Sequence, residues 1–258
     1  MLAAAAPLWR PGTAYHYHAL TFGYLVGEVI RRAAGRTVGE FLARDIAAPL
    51  GLDVWIGLPE AAESRVLDQF RTDPAPDPRQ VEAVLARFGL DPADPVVRAS
   101  VASIAAVGET ADGFNSRAVH AAQIPAGNAI ATARSLARLY AALIGPVEGT
   151  RLLAADTVSR ATAPQTDQLP APSTLDRVPG VNQSRHGLGY ELPTPLLPML
   201  GDGSFGHAGA GGRLAFAQHR TGTAVAYTCT NMAWNPMAGP DPRWLPWTAA
   251  LRGCLDLD

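Results

Sequence analysis

Apolar residues first recur at helical spacing in the stretch after residue 20. Phe22, Leu25, Val26, Val29, Ile30 and Ala33 fall three and four apart, the pattern of one helix face. Pro11-Gly12-Thr13 reads as a turn ahead of it, and Gly35 is placed to end the helix. Thr37-Val38-Gly39-Glu40 has the form of a capping box, in which the Thr hydroxyl takes an orphan N–H and the Glu reaches back. It predicts a second helix running to about Ala48, stopped by Pro49 and Gly51. Residues 59–99 mix Pro, Asp and Ala, with a short helix expected over Gln80–Phe88. Thr132 then caps an amphipathic helix whose face is Leu136, Leu139, Tyr140, Leu143 and Ile144.

The pattern changes after residues 163–186, which are rich in Pro, Thr, Ser and Gln and read as a long loop or internal boundary. Gly187–Leu192 is expected as a short strand. Arg213–His219 and Thr223–Thr230 are apolar runs around Arg220-Thr221-Gly222, a β-hairpin pattern. A last helix is expected within Leu245–Leu255, with Pro246 in its first turn. Helices come first and an antiparallel sheet last, closed by a helix. The layout is α+β in a single module: a helical region 1–162, a loop 163–186, and the sheet with its terminal helix 187–258.

Composition adds limits. The chain has 258 residues, 48% hydrophobic and 17% charged, enough for a sizeable core. A net charge of −2 argues against nucleic acid or an anionic membrane surface as a partner. Met1–Trp9 is apolar but short, lacks a basic start and is interrupted by Pro7, so it makes a poor signal peptide. With no long apolar run, a soluble, cytoplasmic protein is expected. All 21 basic residues are Arg, which rules out a Schiff base or a Lys general base, because guanidinium does not deprotonate in proteins. Cys229 and Cys254 lack zinc or redox spacing and are expected as buried free thiols. His16 and His18 flank Tyr17 without a third ligand, so neither a metal nor a cofactor is expected. Trp55, Trp234, Trp244 and Trp247 are expected in the core or a pocket wall.

Three stretches, taken in order, carry a resemblance. They are Pro11-Gly12-Thr13 with Tyr17-His18-Ala19, then Ala48-Pro49-Leu50-Gly51-Leu52, then Phe205-Gly206-His207-Ala208-Gly209-Ala210-Gly211-Gly212 before the hairpin. Together they resemble the serine β-lactamase-like family of class C β-lactamases and family VIII carboxylesterases, over its C-terminal two-thirds. The resemblance implies a hydrolase or acyl-transfer ancestry acting on a small-molecule ester or amide. Tyr17 matches the family's catalytic Tyr. His207 matches the Lys of its Lys-Thr-Gly strand and, with an ordinary pKa near 6.5, can give or take a proton. Gly209 and Ala210 match the substrate-binding turn, where the Ala210 N–H would be one half of an oxyanion hole; His18 is placed with them as a substrate contact. Ala19 stands where the family often has Asn, which leans towards esters.

The family's nucleophile motif, Ser-x-x-Lys, is not matched. Ser135-Leu136-Ala137-Arg138 has its spacing but ends in Arg, and Ser204 lacks the flanking glycine of a G-x-S-x-G elbow. Losing one oxyanion donor alone typically costs ~10²–10³ in rate. The family fold also places N-terminal strands beside Thr223–Thr230. That strand is therefore expected to have an open edge that pairs with a second copy or a separate N-terminal partner chain. Three functions remain open: the family's hydrolysis, a repurposed cyclase, lyase or isomerase using Tyr17 and His207, and a non-catalytic binding protein.

Overall fold

The computed structural model describes residues 2–71, 78–102, 113–176, 178, 184–233 and 240–257. Helix α1 spans Thr21–Ala34 and ends on Gly35 in the left-handed conformation. Helix α2 starts at Val38–Phe41 under the Thr37/Glu40 capping box, runs on through π-helical Leu42–Ala47, and finishes as Ala48–Leu50 before left-handed Gly51. It outlasts the expected stop at Ala48 because Pro49 falls in the first residues of that final turn, where its missing N–H is tolerated. Helices α3 (Pro78–Arg87), α4 (Arg117–Ala121), α5 (Ala133–Ile144) and α6 (Ala155–Ala161) follow. The Thr132 hydroxyl accepts the Ser135 N–H as the cap of α5. A two-residue antiparallel pair, β1 (Val54–Trp55) with β2 (Ile130–Ala131), links the α2 end to the α5 start.

The main sheet is antiparallel in the order β3-β4-β5-β6-β7. Its strands are Arg185–His186, Glu191–Leu192, Ser204–Gly209, Arg213–Gln218 and Thr223–Tyr227. The single strand expected over Gly187–Leu192 is instead a hairpin. Only Glu191–Leu192 is strand, and residues 187–190 form its turn, where the Gly187 N–H donates to the Tyr190 carbonyl and Gly189 has φ +89°. Helix α7 (Leu245–Cys254) closes the chain with Pro246 in its first turn.

Both sheet faces are covered. Phe205 and Ala217 pack on Leu143 and Val158 of α5 and α6. Leu214 and Phe216 pack on Leu197, Met199, Leu200 and Trp244 under α7. Full burial of a Phe or Leu contributes about 1.5–3 kcal/mol each. Trp244 is buried and Trp247 packs against the same layer, whereas Trp55 is only half-buried beneath the Arg65 guanidinium. Trp234 lies outside the described residues. Cys229 and Cys254 are free, but neither is buried as expected: one is half-buried in the loop after β7 and the other exposed on α7.

Among the described residues, two surfaces stay uncovered. β7 ends the sheet order with no further strand beside it among the described residues. The apolar stripe of α1 faces outward, with Phe22 47% and Val29 65% exposed and Leu25 and Val26 similar. The helix docks through its glycines instead: a Cβ on Gly23 would sit 2.4 Å from the Ala126 nitrogen. Among the described residues, no helix is long and apolar enough to cross a membrane.

Candidate active site

The segment before α1 is pinned at several points. The Trp9 indole N–H donates to the Ala14 carbonyl at 3.0 Å, and the Tyr15 N–H to the Pro170 carbonyl at 3.1 Å. The Tyr15 hydroxyl donates to the Ser184 carbonyl at 2.5 Å. These bonds hold Tyr17 against the sheet. Along β5, alternation puts His207 and Gly209 on the face that carries Phe205. There the Tyr17 hydroxyl lies 3.4 Å from His207 Nε2. The Tyr17 ring also stacks on His186 of β3, with centroids 6.1 Å apart and planes 16° from parallel.

Glu191 on β4 is the carboxylate of this group. Its Oε2 accepts the Ala208 N–H at 2.7 Å and lies 3.8 Å from His207 Nδ1. Tyr17 keeps 43% of its surface, yet desolvation of the phenol, aided by the Glu191 charge, pushes its pKa up to about 12. At neutral pH it is therefore a donor and not a phenolate. Burial lowers the His186 pKa against the opposing pull of Glu191, and a proton on His207 lowers it further. Half-buried Tyr140 is pushed well above the ordinary phenol range by desolvation; it meets Tyr190 edge-to-face, and Tyr190 meets Phe205 the same way.

The turn after β5 is held from behind. Gly211 and Gly212 have φ of +84° and +102°. Arg213 donates to the Ala210 carbonyl at 2.6 Å, Arg243 to the Gly211 carbonyl at 2.7 Å, and the Trp244 indole to the Gly212 carbonyl at 3.0 Å. Arg243 is itself anchored on Asp241, which is 1% exposed. The Gly209 carbonyl accepts the Gly212 N–H inside the turn at 3.0 Å. A trans peptide sets its N–H opposite its carbonyl, so the Ala210 N–H points away from the turn, and Ala210 is exposed.

Tyr17 and His207 thus meet, with Gly209 and Ala210 following His207 at the end of β5. His18 turns to its own segment: its Nδ1–H donates to the His16 carbonyl at 2.8 Å and its ring meets Trp9 edge-on. His16 turns instead to the Ser100 hydroxyl at 2.9 Å, and burial lowers its pKa. The two serines weighed as nucleophiles are buried acceptors. Ser135 Oγ takes the Asp53 N–H at 2.8 Å, and Ser204 Oγ takes the Leu200 N–H at 3.3 Å. Among the described residues, no group of three His, Cys, Asp or Glu side chains is placed to hold a metal. Glu191 and His186 are the site residues the sequence did not disclose. The only signal was an acid set between the apolar residues Tyr190 and Leu192.

The chain as a whole is similar to known proteins. Residues 1–245 match the family model described as Beta-lactamase. The chain is 30% identical over 238 residues to "Esterase/beta-lactamase LipL" of Mycobacterium tuberculosis, covering 87% of this chain and 50% of that protein. Among solved structures it is similar to EstA from Arthrobacter nitroguajacolicus Rue61a, with a TM-score of 0.80, 30% identity, and coverage of 99% of this chain and 63% of EstA. A family VIII carboxylesterase superposes with a TM-score of 0.76 at 30% identity, over 98% of this chain and 62% of that one. The chain therefore spans half the length of the curated relative it matches, and under two thirds of these solved structures.

Proposed function

The chain belongs to the beta-lactamase family, and from that premise we propose that it carries the acid–base half of a site for hydrolysis or acyl transfer on a small-molecule ester or amide. The observation that carries this reading is the 3.4 Å approach of the Tyr17 hydroxyl to His207 Nε2 beside the Gly209-Ala210 turn. A protonated phenol can hand its proton to a leaving group and recover it through His207, and the outward Ala210 N–H can receive developing oxyanion charge. Among the described residues no serine hydroxyl is bonded to Tyr17 or His207, so in this reading a further polypeptide segment brings the nucleophile. The open edge of β7 and the outward stripe of α1 support such a covering partner. A cytoplasmic location goes with this reading.

A second reading is favoured by the same pair standing, among the described residues, without a serine hydroxyl bonded to either member. Tyr17 and His207 would then act directly as acid and base in an isomerisation, elimination or cyclisation. Intact-mass spectrometry after a fluorophosphonate, with turnover of a short-chain ester and a chromogenic β-lactam in parallel, separates the two. A stoichiometric adduct with turnover means that a serine of this chain is activated, and overturns the missing nucleophile. Turnover only when an upstream segment from a relative is added supports the first reading. No adduct and no turnover in either case leaves the acid–base reading.

A further inference from the structure

We propose that Glu191 is a positioning residue that fixes the tautomer of His207, holding the ring proton on Nδ1 so that the Nε2 lone pair faces the Tyr17 hydroxyl. The proposal deepens the acid–base reading above and rests on it only for the use the pair is put to.

Three contacts carry it. His207 Nδ1 faces the Glu191 carboxylate at 3.8 Å, and a carboxylate only accepts, so it favours the ring proton on Nδ1. A neutral imidazole with its hydrogen there has its lone pair on Nε2. That nitrogen lies 3.4 Å from the Tyr17 hydroxyl, which can donate or accept and in this tautomer donates. The carboxylate is fixed in turn by the Ala208 N–H at 2.7 Å, the backbone of the residue next to His207. It therefore moves with the strand that carries the ring it orients. His186 stacks on the Tyr17 ring and limits how far the phenol can swing off that line.

The proton step balances within these groups. When the Tyr17 O–H bond breaks, the proton passes to His207 Nε2 and the ring becomes an imidazolium. Its charge then faces the Glu191 carboxylate. The reverse transfer restores the phenol. No co-reactant is needed.

The test reads the proton and not the hydrolysis. Long-range 15N–1H spectra of uniformly labelled protein, with the His207 signals assigned by loss in His207→Gln, report which ring nitrogen is protonated in the neutral ring at about pH 8. The wild type is expected to be predominantly the Nδ1–H tautomer. The same oxygen, Glu191 Oε2, takes the Ala208 N–H and faces Nδ1, so the informative change is Glu191→Leu, which removes the acceptor altogether. The ring should then become predominantly the Nε2–H tautomer, while Glu191→Gln, whose amide oxygen can take the place of Oε2, keeps Nδ1–H as the major form. A wild type already in the Nε2–H form, or a folded Glu191→Leu with an unchanged tautomer, overturns the proposal. If Glu191→Leu does not fold, the wild-type tautomer alone decides. Turnover is scored separately: a tautomer that responds as expected in a protein without hydrolytic activity removes the hydrolase reading and leaves the positioning role standing.

Discussion

Tyr17 and His207, 190 residues apart in the chain, meet hydroxyl to ring nitrogen at 3.4 Å. One comes from an irregular segment ahead of the first long helix and the other from the middle of the sheet. Neither is placed by its own element alone. The Tyr15 bonds to Pro170 and Ser184 bring the first to the sheet, and the ladder of β5 on β6 holds the second.

Substituting either member should remove the chemistry and leave the fold. Tyr17→Phe and His207→Ala are each expected to lower turnover by ~10²–10⁴-fold, the usual worth of a positioned acid or base. Steady-state rates beside far-ultraviolet circular dichroism check this. Retained activity in a folded Tyr17→Phe protein removes the phenol from the mechanism.

Alkali should weaken the fold through the phenols. The Tyr17 pKa is raised to about 12, mainly by desolvation, so the folded state holds its proton more tightly than the unfolded chain, whose phenol titrates near 10. The stabilisation is fully present below pH 10 and is lost as pH rises from there through about 12. Urea midpoints taken between pH 9 and 11.5 should fall less steeply in Tyr17→Phe than in the wild type.

Acid should act through the buried imidazoles. Burial lowers the pKa of both His16 and His186, so the folded state holds them neutral. That contribution is present above pH 6.5 and is lost as pH falls through the lowered values. His186→Phe keeps the stack on Tyr17 without the titrating group. Its stability should change less between pH 7 and 5 than that of the wild type, as read by urea midpoints.

The turn that presents Ala210 should be brittle. A Cβ on Gly212, at φ +102°, would meet Arg243 Nη2 at 1.9 Å and Asp241 Oδ2 at 2.2 Å. Gly212→Ala combines a strained backbone with a displaced ion pair and should cost more than about 2 kcal/mol. Asp241→Asn leaves a guanidinium without its buried partner and should cost about 3–5 kcal/mol. Equilibrium urea unfolding measures both, and an unchanged midpoint for either would mean that the turn rearranges.

The stripe on α1 should make the isolated chain self-associate. Four large apolar side chains are exposed on one helix face, where a soluble surface rarely keeps them. Val29→Glu, at the most exposed of these positions, should shift sedimentation profiles towards the monomer without lowering thermal stability. Unchanged association would place the contact elsewhere, with the β7 edge next in line.

Much of the framework was legible because its signals are local. The Thr37/Glu40 box, the Thr132 cap, Gly35 and the hairpin around Arg220–Gly222 each act within a few residues, and each is found where the pattern put it. The stripe of α1 was read correctly as helical but gave no hint of which way it faces. The docking face is made of Gly23 and Gly27, and a small residue that packs closely carries no hydrophobic signal. Residues 187–192 read as one strand because the turn there depends on the positive φ of Gly189 and on a partner strand at Arg185–His186. In the site, motif order pointed to Tyr17 and His207, which meet, and to the Gly209–Ala210 turn that follows. Glu191 and His186 reach the pair only through strand pairing, and His18 bonds the His16 carbonyl and meets the Trp9 ring.

The stretch around Phe70 ties the first half of the chain to the last. The Phe70 N–H donates to the Thr230 carbonyl and its carbonyl accepts the Met232 N–H, while the Gln69 side chain holds Arg213 at 2.7 Å. A protease that severs the backbone once between α6 and β3 therefore cuts a connection that the fold bypasses. The two fragments should travel as a single particle and separate only in denaturant, and the Tyr17–His207 pair, with one member on each fragment, should survive the cut.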